Sequence, residues 1–320
     1  MPHRTSSIRR RRGTLRAVAA RAWTPALLVP VLMLGIGASP AHATFPGSNG
    51  RIVFDTAEGP EESQIYTIDP DGTDLLQLTR FRHGAVAFMP RWSADARRIA
   101  FVSNASGNDE LWTMRSDGTR KRQITDEPGV GHYWPTWTPD GGIVFSRCDF
   151  TAFGTCTISA VRRDGSHLHT VVGGHWHHIQ PAVSPDGAWV AFTSDKGGYD
   201  SRLWLVHPDG SDLHHVGDLA TEVPDRPDWS PDGSLITFTG DPRMGMIFTI
   251  EPDGSGLAAI SPPTISRIFA FYSPDGTQMA ALRAVDSNDR ALIRTDTAGD
   301  VLGTITSMPG VTFADWGVGS

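Results

Sequence analysis

The sequence has little cysteine, no long helical pattern and no Gly-x-Ser-x-Gly segment. Because long helical periodicity is absent, the sequence predicts an all-β protein. The missing nucleophile elbow sets aside the hydrolases that depend on that motif. Cys148 and Cys156 are the only cysteines, so the chain can form at most one internal disulfide.

Residues 1–43 contain no acidic residue, but they hold seven arginines and an apolar run from Ala26 to Ala38. This run is shorter than the roughly 18 residues expected of a spanning helix. Ala41-His42-Ala43 fits the small-residue pattern of a cleavage site, and no cysteine for lipid attachment lies nearby. We therefore predict an export signal at 1–43, with no transmembrane segment in the mature chain. An uncleaved anchor is the alternative, and the export route stays open between Sec and twin-arginine.

Basic charge is scarce once the signal is removed. The mature chain keeps 21 basic residues against 35 acidic ones, a net charge of −14. This balance argues against nucleic acid as a partner. The predicted export signal implies a periplasmic, cell-envelope or extracellular location. In such a location we expect Cys148 and Cys156, which flank a short loop between two predicted strands, to form a disulfide.

What the sequence has is a repeat of about 45 residues. Its anchor, aromatic in all copies but one, stands at positions 92, 137, 183, 229, 272 and 316. A turn of the Ser-Pro-Asp-Gly type and a strand follow most anchors, as at Trp229–Gly233, and a second strand pair turns at an Asp-Gly, as at Asp71-Gly72. Because glycine accepts the positive φ that tight hairpins demand, each repeat predicts two linked hairpins. Four strands per repeat are typical of a β-propeller blade.

The two ends of the repeat array complement each other. Ala314-Asp315-Trp316 begins a repeat without its continuation, and Asn49–Phe54 supplies the missing strand. We therefore predict that residues 44–320 form one six-bladed propeller, in which N- and C-terminal segments share a blade and no free edge remains. We expect this ring to be a monomer.

The phrases Trp-Ser-Pro-Asp-Gly, Ile-Ala-Phe and Leu-Trp-x-Met-x-x-Asp-Gly-Thr resemble the repeats of the TolB-like β-propeller family over nearly all of the mature chain. The resemblance implies that the first strand of each blade lines a central channel, and that the protein works through protein contacts in the cell envelope. TolB itself has an α/β domain ahead of its propeller, whereas Ile52 follows the predicted cleavage site closely. We therefore do not expect a role in the Tol system.

Histidine is the feature that the repeat does not explain. His132 and His178 stand five residues before their anchors, on the approach to adjacent inner strands, and could face one another there. With His177 and Gln180 they would suit a divalent metal such as zinc or manganese. Oligogalacturonate lyases resemble this arrangement, with a His-rich metal site on a propeller. The alternative is polar rim residues that bond to water and backbone.

Two tryptophans and three arginines are candidate contact residues. Trp134 and Trp176 lie off the repeat anchors at the blade entrances, where exposed aromatic side chains are reasonable contacts for a partner. Arg91, Arg226 and Arg267 stand near equivalent entrances and could hold an anionic segment or a sugar acid. Solvated rim charge is the alternative for all three arginines.

Three functional hypotheses follow. The leading one is an exported, non-catalytic propeller without a cofactor, which binds a protein or peptide through Trp134, Trp176, Arg226, Arg267 and the edge from His132 to His178. The second is a metal-dependent carbohydrate-active enzyme with His132, His177, His178 and Gln180 as ligands and Arg226 or Arg267 on a substrate carboxylate. The third is a structural envelope protein that makes its contacts through its outer surface.

Overall fold

The computed structural model describes most of the mature chain. The described residues are 45–57, 63–82, 84–150, 154–198, 201–219, 223–240, 245–260, 267–285 and 290–319, with backbone only at 267 and 268. They belong to one compact unit, Ser39–Ser320. The export signal predicted at 1–43 lies outside the described residues. In the described part of the chain, no helix is long and apolar enough to cross a membrane.

Within these residues, 24 strands form six antiparallel sheets of four strands each. The strands of each sheet are given from the inside of the ring outward. Blade one contains β24 (Val311–Val318), β1 (Asn49–Thr56), β2 (Gln64–Ile68) and β3 (Leu76–Gln77). Blade two contains β4 (Ala87–Trp92), β5 (Arg98–Ser103), β6 (Glu110–Arg115) and β7 (Arg122–Gln123). Blade three contains β8 (Val130–Trp137), β9 (Gly142–Asp149), β10 (Thr155–Arg162) and β11 (His169–Val172).

The other three blades have the same order. Blade four contains β12 (His178–Val183), β13 (Val190–Ser194), β14 (Arg202–Val206) and β15 (His214–His215). Blade five contains β16 (Asp225–Trp229), β17 (Ile236–Gly240), β18 (Met246–Ile250) and β19 (Ala258–Ala259). Blade six contains β20 (Arg267–Tyr272), β21 (Gln278–Ala284), β22 (Arg290–Asp296) and β23 (Val301–Thr306).

The ring closes in blade one, as the repeat predicts. The C-terminal strand β24 pairs antiparallel with β1, and Ile52 stands opposite Trp316. A backbone hydrogen bond from Gly319 to Ser48 extends this pairing past the strand ends. The prediction of a six-bladed propeller closed by both ends of the chain is confirmed.

The repeated turns lie together on one face of the ring, here called the lower face. In blade five, Ser230 donates its hydroxyl to Asp232 over 2.6 Å and accepts the Leu235 amide over 2.9 Å. Gly233 completes this turn with φ of +71°. At Gly118, where φ is +77°, a Cβ atom would come within 2.8 Å of the Leu78 carbonyl oxygen. Glycine is therefore required there both by backbone angle and by space.

The hydrophobic core consists of clusters between neighbouring blades. Between blades one and two, for example, Val53 and Ile65 pack with Trp92 and Phe101. The described residues contain six such clusters, one for each blade interface. Burial between blades holds each sheet in register with the next, so the inner strands keep fixed positions around the channel.

Candidate functional site at the upper mouth of the channel

One residue of each inner strand, three positions before the anchor, forms a ring near the upper face. This upper ring consists of Met89, Trp134, Gln180, Arg226, Phe269 and Phe313. The first four have φ between 51° and 59° and each precedes a proline. The pairing register shifts at the same places, so each is a β-bulge. Bulges re-aim side chains, and positive φ costs a non-glycine residue about 1–3 kcal/mol, so packing around the channel enforces this geometry.

Below the upper ring, three charged side chains close the channel. Arg91 of blade two reaches Asp315 of blade one over 3.1 Å and Asp228 of blade five, on the opposite side of the ring, over 3.4 Å. The Arg91 guanidinium also lies 4.9 Å from the centre of the Phe313 ring. We call Arg91, Asp228 and Asp315 the plug. The cavity that remains between the plug and Trp134 has about 20 Å³, room for about one water molecule.

The plug is buried, and burial sets its electrostatics. The side chains of Arg91, Asp228 and Asp315 are 15%, 7% and 7% exposed. Burial raises the pKa of both carboxyl groups, and the positive charge of Arg91 opposes this rise. Burial also disfavours the charged guanidinium, but the two carboxylates outweigh it and raise the pKa of Arg91.

The segment 45–48 lies against the lower face of the ring. Gly47 donates its amide to the Pro274 carbonyl in the turn of blade six over 3.1 Å. Phe45 is 5% exposed and belongs to the apolar cluster between blades two and three, with Trp137. The segment therefore passes across the lower face from blade six to the far side. A ligand that enters the channel from above would meet the plug and then this segment.

Aromatic side chains collect at the upper mouth over blades two to four. The Tyr133 ring lies 5.7 Å from the Trp134 ring and 6.2 Å from the Phe150 ring. Phe150 is 62% exposed, and Trp176 on the neighbouring connection is 39% exposed. Tyr133 is fixed by a 2.7 Å hydrogen bond that it donates to Asp109. The structure places Trp134 and Trp176 at the upper mouth, and their contact with a partner stays a prediction.

A disulfide supports part of this surface. Cys148 and Cys156 stand opposite each other in β9 and β10, and the structure joins them. Phe150 follows the first of these strands, and Cys156 forms a β-bridge with His177. The disulfide therefore ties together the two strands of the hairpin that holds Phe150, and the β-bridge joins this hairpin to the segment with Trp176.

His132 lies in a charged pocket rather than at the surface. It is fully buried, with Nδ1 3.0 Å from Glu110 and Nε2 3.0 Å from Glu127. Glu127 in turn accepts two hydrogen bonds from Arg147, over 2.9 and 2.8 Å. Burial opposes protonation of the imidazole, but the two carboxylates outweigh it and raise the pKa of His132. This arrangement is a buried ion network.

His178 occupies the equivalent position in the next blade and has the opposite surroundings. It is 1% exposed, its ring packs edge-on against Phe192 at 5.6 Å, and neither nitrogen has a hydrogen-bond partner in the described part of the chain. Burial lowers its pKa to about 4, helped by the positive charge of Lys196. Since His132 and His178 are both buried, the structure offers neither as a contact residue for a partner.

The other predicted metal ligands have protein partners. His177 is half exposed and bonds through Nδ1 to Asp195 over 2.8 Å. The Gln180 amide donates to Asp225 and accepts from the Arg226 backbone and the Thr193 hydroxyl. Among the described residues, no three His, Cys, Asp or Glu side chains come together in a way that could hold a metal ion. The structure thus separates the four predicted ligands, and metal binding stays a prediction.

Arg226, like His178, has buried polar atoms without a partner in the described part of the chain. Its Nε and Nη1 atoms are buried without a hydrogen-bond partner, and its guanidinium lies 4.8 Å from the centre of the Phe269 ring. The nearest carboxylate oxygen, on Asp225, is 3.7 Å from Nε. The side chain of Arg267 lies outside the described residues, although its backbone pairs with Arg283.

Sequence reasoning missed two residues of this mouth and misassigned a third. Phe150 stands between the two cysteines, and an aromatic residue on a predicted loop is a sequence signal for an exposed contact residue. Arg290, at the start of β22, has no such signal. Arg91 was a predicted entrance cation, and its partner on the opposite blade is 137 residues away in sequence.

Comparison with known proteins agrees with this geometry. The profile of the PD40 family, described as the TolB beta propeller domain, matches residues 33–225, which is more than half of the chain. The chain belongs to the TolB β-propeller family.

The chain aligns with only part of the length of its sequence relatives. A protein described as a TolB homolog from Chlorobium luteolum is 28% identical over 198 residues, which is 60% of this chain and 43% of that protein. An uncharacterised protein from Agrobacterium fabrum is 28% identical over 141 residues, 41% of this chain and 43% of that protein. The chain therefore spans less than half the length of these curated relatives.

Solved structures share the TolB-type fold. TolB from Acinetobacter baumannii superposes with a TM-score of 0.70 at 20% identity, covering 86% of this chain and 68% of that one. A structure described as a putative TolB from Agrobacterium tumefaciens gives 0.62 at 17% identity, covering 83% and 91%. An oligogalacturonate lyase in complex with manganese gives 0.55 at 18% identity, covering 81% and 75%. At these identities the likeness concerns the fold.

Proposed function

We propose that this protein is an exported, non-catalytic propeller that binds a protein or peptide partner at the upper mouth of its channel. The observation that supports this most is the contrast between the two ends of the channel. The plug narrows the channel and the segment 45–48 lies across the lower face, whereas Phe150 and Trp176 are exposed at the upper mouth, where Arg226 has two unsatisfied donors. Aromatic and arginine side chains are the residue types that dominate binding energy at protein interfaces.

Export is the second part of the proposal. It rests on the arginine-rich start, the apolar run and the Ala-His-Ala site at residues 1–43, and the disulfide fits an oxidising compartment. The location is the cell envelope or the outside of the cell. Expression of the full chain in the natural host, followed by N-terminal sequencing of the protein outside the cytoplasm, should give a start near Thr44. A protein retained in the cytoplasm with Met1 intact would contradict export.

The metal-dependent carbohydrate-active enzyme receives less support. Gln180 and His177 are engaged by Asp225 and Asp195, and His178 is buried in an apolar site. The fold that this chain shares with a manganese-bound lyase does not by itself bring a function. We therefore propose binding rather than catalysis.

Photo-crosslinking tests where a partner docks. A benzoylphenylalanine at position 176 is compared with one at Leu257, which is 42% exposed beside a lower-face turn. The proposal expects one defined protein to be crosslinked in the natural host from position 176 and not from 257, and the purified protein to bind the propeller directly. A partner that crosslinks only from position 257 would contradict docking at the upper mouth.

A further inference from the structure

Arg226 presents a problem of unsatisfied hydrogen bonding. Two of its donor atoms, Nε and Nη1, are buried without an acceptor in the described part of the chain. Leaving a buried donor without an acceptor is costly, and buried polar groups in folded proteins nearly always have a partner. The side chain is nevertheless held in place from two sides, because its backbone amide bonds to Gln180 and its guanidinium stacks on Phe269.

A second arginine makes the positive charge at this place stronger. Arg290 begins β22 of blade six and is close enough that its charge lowers the pKa of Arg226, beside the larger effect of burial. The negative charges that oppose this are Asp225, which Gln180 also engages, and the more distant Asp55. The protein has a large negative charge overall, so the charges of Arg226 and Arg290 make this place locally positive against that background.

The shape of the mouth limits what can satisfy Arg226. Arg226 itself lines the cavity of about 20 Å³ that remains above the plug. A chain cannot thread past this level, so an occupant can place only a small group beside Arg226. A carboxylate is such a group, because it is small and flat and matches the planar guanidinium fork by two parallel hydrogen bonds.

We propose that Arg226 and Arg290 bind a carboxylate of the partner, inserted into the upper mouth above the plug. This inference rests on the proposed function and names the chemistry of the occupant: an acidic peptide that brings either its C-terminal carboxylate or the side chain of an Asp or Glu. Phe269 holds the Arg226 guanidinium by stacking, and the aromatic side chains on the other side of the mouth contact the neighbouring residues of the peptide.

Nuclear magnetic resonance of the arginine Nε–H groups tests the proposal with three defined peptides. Acetyl-Gly-Gly-Ala has only a C-terminal carboxylate, acetyl-Gly-Glu-Gly-amide has only a side-chain carboxylate, and acetyl-Gly-Gln-Gly-amide has none. The protein is expressed as the full chain, purified after processing and kept at low chloride concentration. We expect at least one of the carboxylate peptides to shift the Arg226 signal saturably, at concentrations at which the glutamine peptide has no effect.

Variants separate specific binding from general attraction of anions. Arg290→Gln and Arg226→Gln should each weaken the carboxylate peptide at least tenfold, whereas Arg163→Gln, an exposed arginine beside a lower-face turn, should leave its affinity within twofold. Arg290→Gln guards against the case in which Arg226→Gln does not fold. Equal response to the three peptides, or an Arg290→Gln affinity equal to that of the unmodified protein, would overturn the inference. If a partner crosslinked from position 176 binds both variants normally, the carboxylate site is refuted while the proposed docking face stands.

Discussion

Replacement of Arg91 by methionine should reveal how much the plug depends on its positive charge. The change keeps a long apolar side chain in the channel but leaves Asp228 and Asp315 without a cation, each with a side chain only 7% exposed. Removing one partner from a buried ionic group costs about 3–5 kcal/mol, because the remaining charge stays out of water. We expect the free energy of unfolding at pH 7 to fall by about that amount.

The loss should depend on pH in a defined direction. Burial already raises the pKa of both carboxyl groups, and the loss of Arg91 removes the main opposing influence. A carboxyl group whose pKa is higher in the folded than in the unfolded protein binds more protons when folded, so stability rises as the pH falls. The difference between Arg91→Met and the unmodified protein should therefore narrow between pH 7 and pH 5.

Urea denaturation followed by tryptophan fluorescence measures both effects. Arg51→Met is the control, because Arg51 pairs with Asp69 and Asp74 at the surface, and such pairs contribute about 1 kcal/mol or less. A loss for Arg91→Met no larger than that of the control at pH 7, or a gap that widens on acidification, would refute this account of the plug.

Four more predictions follow from the structure. His178→Phe should remove a loss of stability in acid. The pKa of His178 is about 4 in the folded protein, against 6.5 for a free histidine, so the free energy of unfolding of the unmodified protein should fall by about 3 kcal/mol between pH 6.5 and pH 4. Urea denaturation across that range measures the difference between the two proteins. His132→Leu should have the opposite profile, with a greater loss of stability below pH 6.5 than at pH 9, because its pKa is raised; equal losses at both pH values would contradict this. Cys148→Ala combined with Cys156→Ala should lower the free energy of unfolding by about 2.5 kcal/mol for a nine-residue loop, and reductant should lower that of the unmodified protein equally but leave the variant unchanged. Elemental analysis should find no stoichiometric zinc or manganese in untagged protein, even after either metal is added; one equivalent that disappears in His132→Ala/His178→Ala would revive the metalloenzyme hypothesis.

The fold was accessible from sequence because local and periodic signals agree. Anchors such as Trp137 and Trp229 recur with the repeat, and each donates its indole N–H to the inner strand of the preceding blade. Turns that end in glycine fix the hairpins locally, and the incomplete repeat around Trp316 required a strand from the other end of the chain. None of these steps needs knowledge of distant contacts.

The site was less accessible because it depends on which residues meet across the ring. His132 and His178 share one repeat offset, yet Glu110 and Glu127 surround the first and Phe192 packs on the second. A shared offset predicts where the backbone of each histidine lies, but side chains from other strands determine whether its imidazole is paired with charges or buried among apolar groups. Arg91 meets Asp228 only because blades two and five face each other across a narrow channel.

One sequence signal was available and unused. Four of the residues that stand three positions before an anchor are followed directly by a proline: Met89, Trp134, Gln180 and Arg226. A proline at this position of an inner strand indicates an irregular edge, and the structure has a bulge with positive φ at each of the four. The same pattern identifies most of the residues that surround the upper mouth.

The most direct test of partner docking at the upper mouth is the affinity of the crosslinked partner, once purified, for two matched variants. Trp176→Ser and Leu257→Ser each remove one exposed apolar side chain, the first at the upper mouth and the second beside a lower-face turn. The account predicts that Trp176→Ser weakens binding at least tenfold, as central tryptophans do at interfaces, while Leu257→Ser stays within twofold of the unmodified protein. Normal binding by Trp176→Ser together with loss of binding by Leu257→Ser would contradict it.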